Sequence, residues 1–266
     1  GVELMRADRG TLDITQAADV SAALSDRRIQ VVINCAAFTR VDAAEDEQEA
    51  AFAVNATGVR NLAAAARQAG ARVLHFSTDY VFAGDAGRPY HTDDPPPPVN
   101  QYGATKLEGE RALQESGADG VIIRTAWIYS RSEHSFLGKI LARLRRDGEA
   151  RVVDDQVGTP TSAAQLAAFT WQLLRRPEIN GCLHWTDGGV ASWYDFAVAI
   201  AEEATLRGML ARGARVEPVA SAGYPTRARR PAFSVLDKHA TSLKLGETPL
   251  HWRQALRAVL EEGPVA

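Results

Sequence analysis

Short apolar runs recur along the first half of the chain, at Val2–Ala7, Val31–Cys35, Arg72–Ser77 and Gly120–Thr125. Runs that are apolar almost throughout, instead of alternating with polar residues, suit strands buried on both faces, as in a parallel sheet. The segments between them read as helices. Gln16–Arg27 follows Thr15 as an N-cap, the Ala-rich Glu49–Ala69 ends at Gly70, and Tyr102–Ser116 ends at Gly117. Polar starts and glycine stops of this kind satisfy the backbone groups left open at helix ends. The alternation of strand and helix predicts an α/β fold with a Rossmann-like, doubly wound parallel sheet and right-handed crossovers.

The rhythm changes after Thr125. Helices are expected at Phe136–Arg146, Ser162–Arg175, Trp193–Ala204 and Trp252–Glu262, with one short strand at Arg151–Val153 and a loop rich in Pro and Arg before the last helix. The pattern divides the chain into a dinucleotide-binding domain over 1–126, which also receives part of the later chain, and a smaller C-terminal mixed α/β substrate lobe over 127–266. Asp93-Asp94-Pro95-Pro96-Pro97-Pro98 reads as an extended polyproline spacer that stops just before Tyr102.

Composition narrows the classes. In 266 residues, 45% are hydrophobic and 24% charged, with a net charge of −3, so neither disorder nor a general polyanion binder fits. Nucleic acid and membrane surfaces are therefore not expected partners. Cys35 and Cys182 give no disulfide framework or metal-ligand spacing, and both read as buried thiols in a reducing compartment. No stretch approaches the ~18 consecutive apolar residues of a membrane span, and the first residues lack a signal-peptide layout, so the expected location is cytoplasmic.

The most informative pair is Tyr102 and Lys106, four residues apart at the start of an expected helix, so that both side chains leave one face. A neighbouring ammonium favours the phenolate, so the phenol is expected at a lowered pKa, ready to pass a proton. With six Tyr and four Lys in the chain, about 0.1 such pairs arise by chance, and the spacing alone carries limited weight. Context adds to it. Ser77-Thr78-Asp79 ends an apolar strand, and ligands of open α/β sheets bind outside the carboxyl ends of strands, where a hydroxyl can meet a substrate carbonyl.

Ser77-Thr78 followed by Tyr102-Gly103-Ala104-Thr105-Lys106 resembles the extended short-chain dehydrogenase/reductases. The strings Val32–Asp42, Ser77–Phe82, Arg124–Tyr129, Asp154–Thr161 and Tyr224–Pro231, in this order, are similar to the dTDP-4-dehydrorhamnose reductases within that family. The resemblance implies reduction, by NADPH or NADH, of the 4-keto group of dTDP-4-dehydro-6-deoxy-L-mannose to dTDP-L-rhamnose. It implies Tyr102 as proton donor, Thr78 as hydrogen-bond partner of the carbonyl and Lys106 as holder of the nicotinamide ribose. Asp13 and Ile14 would lie at the adenine end, and Ala36, Ala37, Phe38 and Thr39 along the cofactor. Asp79 and Trp127 would lie near the sugar, and at least one of Arg229 and Arg230 on the pyrophosphate, to which a guanidinium fork presents paired donors. Read without the resemblance, Asp13 fits an Asx turn at a helix entry equally well, and Trp127 fits the core.

Two features qualify the resemblance. The family's G-x-x-G-x-x-G loop has no counterpart, since Gly84 and Gly87 are followed by Tyr90 at the third place. By family order, a strand, that loop and a helix of about 25 residues in all are expected ahead of Gly1. Some relatives are homodimers with Mg²⁺ at the interface, yet no ligand cluster in this sequence assigns a metal. Two alternatives stay open: another nucleotide-sugar reductase or epimerase, and a non-catalytic regulatory relative or inactive fragment.

Overall fold

The computed structural model describes residues 2–25 and 29–261. In chain order its first half holds α1 (Ala17–Ser25), β1 (Val31–Asn34), α2 (Ala43–Asp46), α3 (Gln48–Phe52), α4 (Gly58–Ala69), β2 (Arg72–Thr78), α5 (Gln101–Glu115) and β3 (Gly120–Thr125). There follow β4 (Ile128–Tyr129), α6 (Phe136–Asp147), β5 (Glu149–Val153), β6 (Val157–Gly158), β7 (Thr161–Ser162), α7 (Ala163–Leu174), β8 (Gly181–His184), β9 (Ala191–Ser192), α8 (Trp193–Leu206), β10 (Arg215–Val219), α9 (His239–Leu245) and α10 (Trp252–Glu261).

The main sheet is parallel throughout, in the order β1-β2-β3-β8. Alternation along its strands sends apolar side chains to both faces. Val73 and Ile122 pack with Val20, Leu62, Ala66 and Leu113 on the side of α1, α4 and α5. Leu74, Val121 and Ile123 pack with Leu166, Phe169 and Leu173 of α7 on the other. Helices on both faces of a parallel sheet are the doubly wound arrangement that the apolar runs predict. Parallel register also brings the carboxyl ends of all four strands to one edge, and the ends of β2 and β3 meet there as Thr78 opposite Thr125.

The second core gathers α6, α8 and α10 against β5 and β10, around Leu137, Leu141, Phe196, Ile200, Trp252 and Leu256. A reciprocal cap opens α8, with the Ser192 hydroxyl accepting from the Asp195 N–H and the Asp195 carboxylate accepting from the Ser192 N–H. β5 and β10 form a separate parallel pair, in which Pro218 is tolerated because the ribbon has only two strands. Among the described residues no helix is long and apolar enough to cross a membrane.

Several expectations need correction. Val2–Ala7 forms no strand; these residues find no strand partner among the described residues, and Val2, Leu4 and Met5 are exposed. Helix α1 begins at Ala17, and Thr15 does not cap it, because its hydroxyl donates to Asp13. The expected ends of the first and last helices, Arg27 and Glu262, lie outside the described residues. Cys35 is exposed, because it stands just past the end of edge strand β1. Cys182 is half-buried, and burial pushes its thiol up to about 12. β8, β10 and α9 were not anticipated; a four-residue strand opening on Gly181-Cys182 has too little pattern to stand out.

Candidate active site

The site is built where β2 stops and α5 starts. Thr78, the last residue of β2, caps a single 3₁₀ turn over Asp79–Val81. Its hydroxyl accepts from the Tyr80 N–H at 3.1 Å and donates to the Asp79 carboxylate at 3.1 Å. Helix α5 is started by Asn100, whose side-chain oxygen accepts from the Gly103 N–H at 2.7 Å. A Cβ on Gly103 would stand 2.1 Å from the Tyr80 carbonyl oxygen, so only glycine lets this first turn close onto the strand end. The closure sets the Tyr102 phenol beside the Thr78 hydroxyl. The two residues named as catalytic from the strand end and the helix are therefore neighbours.

One turn further, Lys106 is 2% exposed and its ammonium donates to the Phe76 carbonyl oxygen at 2.6 Å. Burial pulls its pKa down to about 8, and the Glu110 carboxylate on the next turn pulls it back up. The expectation that Lys106 lowers the phenol pKa is not met. Burial pushes Tyr102 up to about 12, the neighbouring Thr78 hydroxyl works against that, and the ammonium is directed at Phe76. At neutral pH the phenol is thus held as the acid. Asp79 is buried and pushed up to about 7, chiefly by desolvation. Ser77 differs from its neighbour, since its hydroxyl donates to the buried Glu110 carboxylate. Of the two strand-end hydroxyls, Thr78 is the one beside the phenol.

The residues expected along the cofactor follow β1. The Ala36 N–H donates to the Asn34 side-chain oxygen at 3.0 Å, and the Phe38 N–H and C=O are both held by the Asn55 amide, at 2.8 and 3.1 Å. Asn55 is fully buried in a π-helical turn, Ala53–Thr57, and its amide also donates to Thr105 of α5 at 3.0 Å. It joins the loop after β1 to α5, a role that sequence reasoning missed; an Asn inside an Ala-rich helical pattern was the available signal. Ala37 and Phe38 are half-buried, and Ala36 and Thr39 exposed, at the carboxyl end of the sheet. Asp13 and Ile14 stand where Gly58 opens α4, directly after the Ala53–Thr57 turn. Asp13 accepts from the Thr15 N–H and hydroxyl, the Asx turn, and Ile14 is buried against Gly58 of α4.

Residues far away in sequence close the other side. The loop at 224–231 is tied to the start of α5 by the Asn100 amide, which donates to the Arg229 carbonyl at 2.8 Å. Arg230 is half-buried, and its guanidinium donates to both oxygens of Asp42 at 2.7 and 3.0 Å. Arg229 itself is exposed, and Arg227 pairs with Asp46 at the surface. Tyr80 stands between the two sides, its ring edge-on to Tyr102 at 5.9 Å. At the end of β3, Trp127 takes a left-handed φ of 48°, a conformation that costs a non-glycine residue about 1–3 kcal/mol. Its indole is stacked on Trp193 at 3.6 Å and closely approached by Gly158.

A nicotinamide dinucleotide fits the chemistry of this edge. Lys106 has three ammonium hydrogens, and with one on Phe76, two remain for ribose hydroxyls. Ala36 and Ala37 present little bulk beside it. For Mg²⁺ there is no such match: among the described residues no group of three or more His, Cys, Asp or Glu gathers to hold a metal.

The chain is 42% identical over 261 residues to a dTDP-4-dehydrorhamnose reductase of Streptomyces griseus, covering 96% of this chain and 84% of that protein. It is 41% identical over 248 residues to a probable dTDP-4,6-dihydroxy-2-methyloxan-3-one 4-ketoreductase of Streptomyces antibioticus, covering 92% and 82%. The crystal structure of dTDP-4-dehydrorhamnose reductase from Bacillus anthracis in complex with NADP matches with a TM-score of 0.90 at 32% identity, covering 97% of this chain and 89% of that one. The family model described as RmlD substrate binding domain matches residues 1–264, nearly the whole chain, and the protein belongs to that family.

Proposed function

We propose that the chain reduces the 4-keto group of dTDP-4-dehydro-6-deoxy-L-mannose to give dTDP-L-rhamnose, using NADPH or NADH. The observation that carries this reading is the placing of the half-buried Tyr102 phenol beside Thr78, backed by the buried Lys106, at the carboxyl end of a central strand. The bound dinucleotide supplies the hydride. Thr78 hydrogen-bonds the ketone oxygen and sets its orientation. Tyr102 gives that oxygen a proton as negative charge develops on it; a phenol near 12 stays protonated through the physiological range and still matches a nascent alkoxide in basicity. Lys106 holds the ribose and places a positive charge beneath the reacting oxygens. Trp127 faces the sugar, the buried Asp79 holds the Thr78 side chain in place, and Arg230, aligned by Asp42, pairs with the pyrophosphate.

The test is oxidation of NADPH by the full chain with dTDP-4-dehydro-6-deoxy-L-mannose, product identified as dTDP-L-rhamnose. Turnover abolished in Tyr102→Phe supports the assignment, and absence of turnover by the folded wild-type chain overturns it. A second reading, reduction of a dTDP-4-keto sugar with a different hydroxyl pattern, is favoured by the near-equal identity to the 4-ketoreductase of Streptomyces antibioticus. Running both ketosugars side by side separates the two, because the chemistry at C4 is shared and only the ratio of kcat/KM values differs.

A further inference from the structure

Behind Tyr102 and Lys106, the face of α5 turned to β2 and β3 carries buried charges that proton donation and cofactor binding do not use. Glu110, one turn beyond Lys106, is 1% exposed. Its two carboxylate oxygens take the Arg124 guanidinium, with Nε at 3.0 and 3.2 Å and Nη2 at 2.7 Å, and one of them also accepts from the Ser77 hydroxyl. The remaining Arg124 nitrogen reaches the Thr92 carbonyl at 3.3 Å and His184 Nε2 at 3.4 Å. Buried ion pairs of this kind contribute little net stability, because desolvation offsets the attraction. Their position against the catalytic lysine suggests a different use.

We propose that Glu110 is a positioning residue for the reduction: paired with Arg124 and holding the Ser77 hydroxyl next to the Phe76 carbonyl that the ammonium meets, its carboxylate keeps the buried Lys106 ammonium charged and in place beneath the site. This rests on the role given to Lys106 under the proposed function. The groups around Lys106 support it. From α5 come Tyr102, held as the neutral phenol, and Glu110. From β2 comes His75, kept neutral by burial and by the lysine charge. From β3 comes Arg124, whose cation is committed to Glu110. From β8 come His184, pushed down to about 3, and Cys182, pushed up to about 12, both uncharged at neutral pH. Asp79 lies beyond Tyr102, and Asp93 acts on Cys182 on the far side. Glu110 is thus the carboxylate one turn from Lys106, and it is the group that opposes the cost of burying the ammonium. Arginine stays protonated in any setting, so Arg124 is a fixed partner that holds the Glu110 carboxylate in position.

The chain has four lysines, so the Lys106 ammonium can be titrated directly by NMR in protein labelled with ¹³C at the lysine ε carbon, with the signal assigned by Lys106→Arg. In the free wild-type protein the midpoint is expected near 8. In Glu110→Gln it falls by about one pH unit or more, as expected for losing an opposite charge from the next turn of a buried helix face. The alkaline limb of kcat/KM moves with it. A wild-type midpoint in folded Glu110→Gln overturns the proposal and leaves Glu110 a purely structural group, which would lower the thermal midpoint without moving this titration. Should that variant not fold, Glu110→Gln with Arg124→Met leaves no buried charge unpaired. Its Lys106 midpoint is expected below wild type by a smaller shift, and an unchanged midpoint there overturns the proposal equally. Because the titration needs no substrate, its outcome is separate from whether the ketosugar is turned over.

Discussion

The two sides of the site are held together by different physics. On one side, Thr78, Tyr102, Lys106 and Glu110 come from 33 consecutive positions on one strand and one helix, and all but the half-buried phenol are buried. On the other, Arg227, Arg229, Arg230 and Trp127 sit on loops, placed by ion pairs and stacking that are partly open to water. Burial makes charges strong and pKa values far from ordinary, which proton transfer requires. Loops at the carboxyl edge give reach and adaptability, which recognition of a long nucleotide sugar requires. Substitutions on the buried side should therefore act on kcat and on its pH dependence, and substitutions on the loop side on KM.

The largest effect is expected at Tyr102. Tyr102→Phe keeps the ring packed against Tyr80 and removes only the proton donor, so kcat should fall by about 10²–10⁴ with KM little changed and the thermal midpoint preserved. A fall confined to KM would break the division between the two sides. Next comes pH. Under the proposed function the Lys106 ammonium is the required form; its pKa is pulled down to about 8, and it is present below that value and lost above it. Log kcat/KM should accordingly decline above about pH 8 with a slope near −1, about tenfold per pH unit. The phenol, near 12, contributes no break in this range. A profile flat to pH 10 would show that the ammonium charge is not needed.

The loop side is smaller in scale. Arg230→Gln should raise KM for the dTDP-sugar by about tenfold or more and change kcat by less than about threefold, the scale of losing a charge-assisted hydrogen bond. Steady-state kinetics with varied ketosugar at saturating NADPH separates the two constants. An effect on kcat equal to that on KM would mean that Arg230 acts on the transition state, placing it with the buried group.

How much of this was legible beforehand follows the same line. Gly120–Thr125 was read to its ends as β3 because an apolar run between helical patterns is a strong signal, and Tyr102 and Lys106 were found because helical spacing converts directly into a shared face. The tie of Asn100 to Arg229 and the pair of Arg230 with Asp42 join positions more than a hundred residues apart, and no local pattern encodes them. The sign of the Tyr102 shift was misjudged for a related reason. Spacing shows that a cation is near, whereas the extent of burial, which dominates here, depends on Gly103 letting the helix close on Tyr80. Val2–Ala7 was misread because an apolar run reports affinity for a sheet and says nothing of whether a neighbouring strand is there to pair with it.

The smallest expected effect sharpens the comparison most. Arg227 belongs to the same loop as Arg230 and also pairs with an acid, Asp46, at 2.6 Å, so by distance alone the two ion pairs look alike. They differ in exposure: the Arg227 side chain is 67% exposed and its partner 59%, against 19% for Arg230. An exposed pair contributes about 0–1 kcal/mol, because water screens the attraction and two long side chains lose freedom in making it. Arg227→Gln should therefore change KM by less than about twofold and leave the thermal midpoint within about 1 °C of wild type. If it instead raises KM as much as Arg230→Gln, the loop recognises substrate through its total positive charge. The half-buried Arg230, aligned by Asp42, would then not be the specific contact, and both effects should shrink together as salt is added.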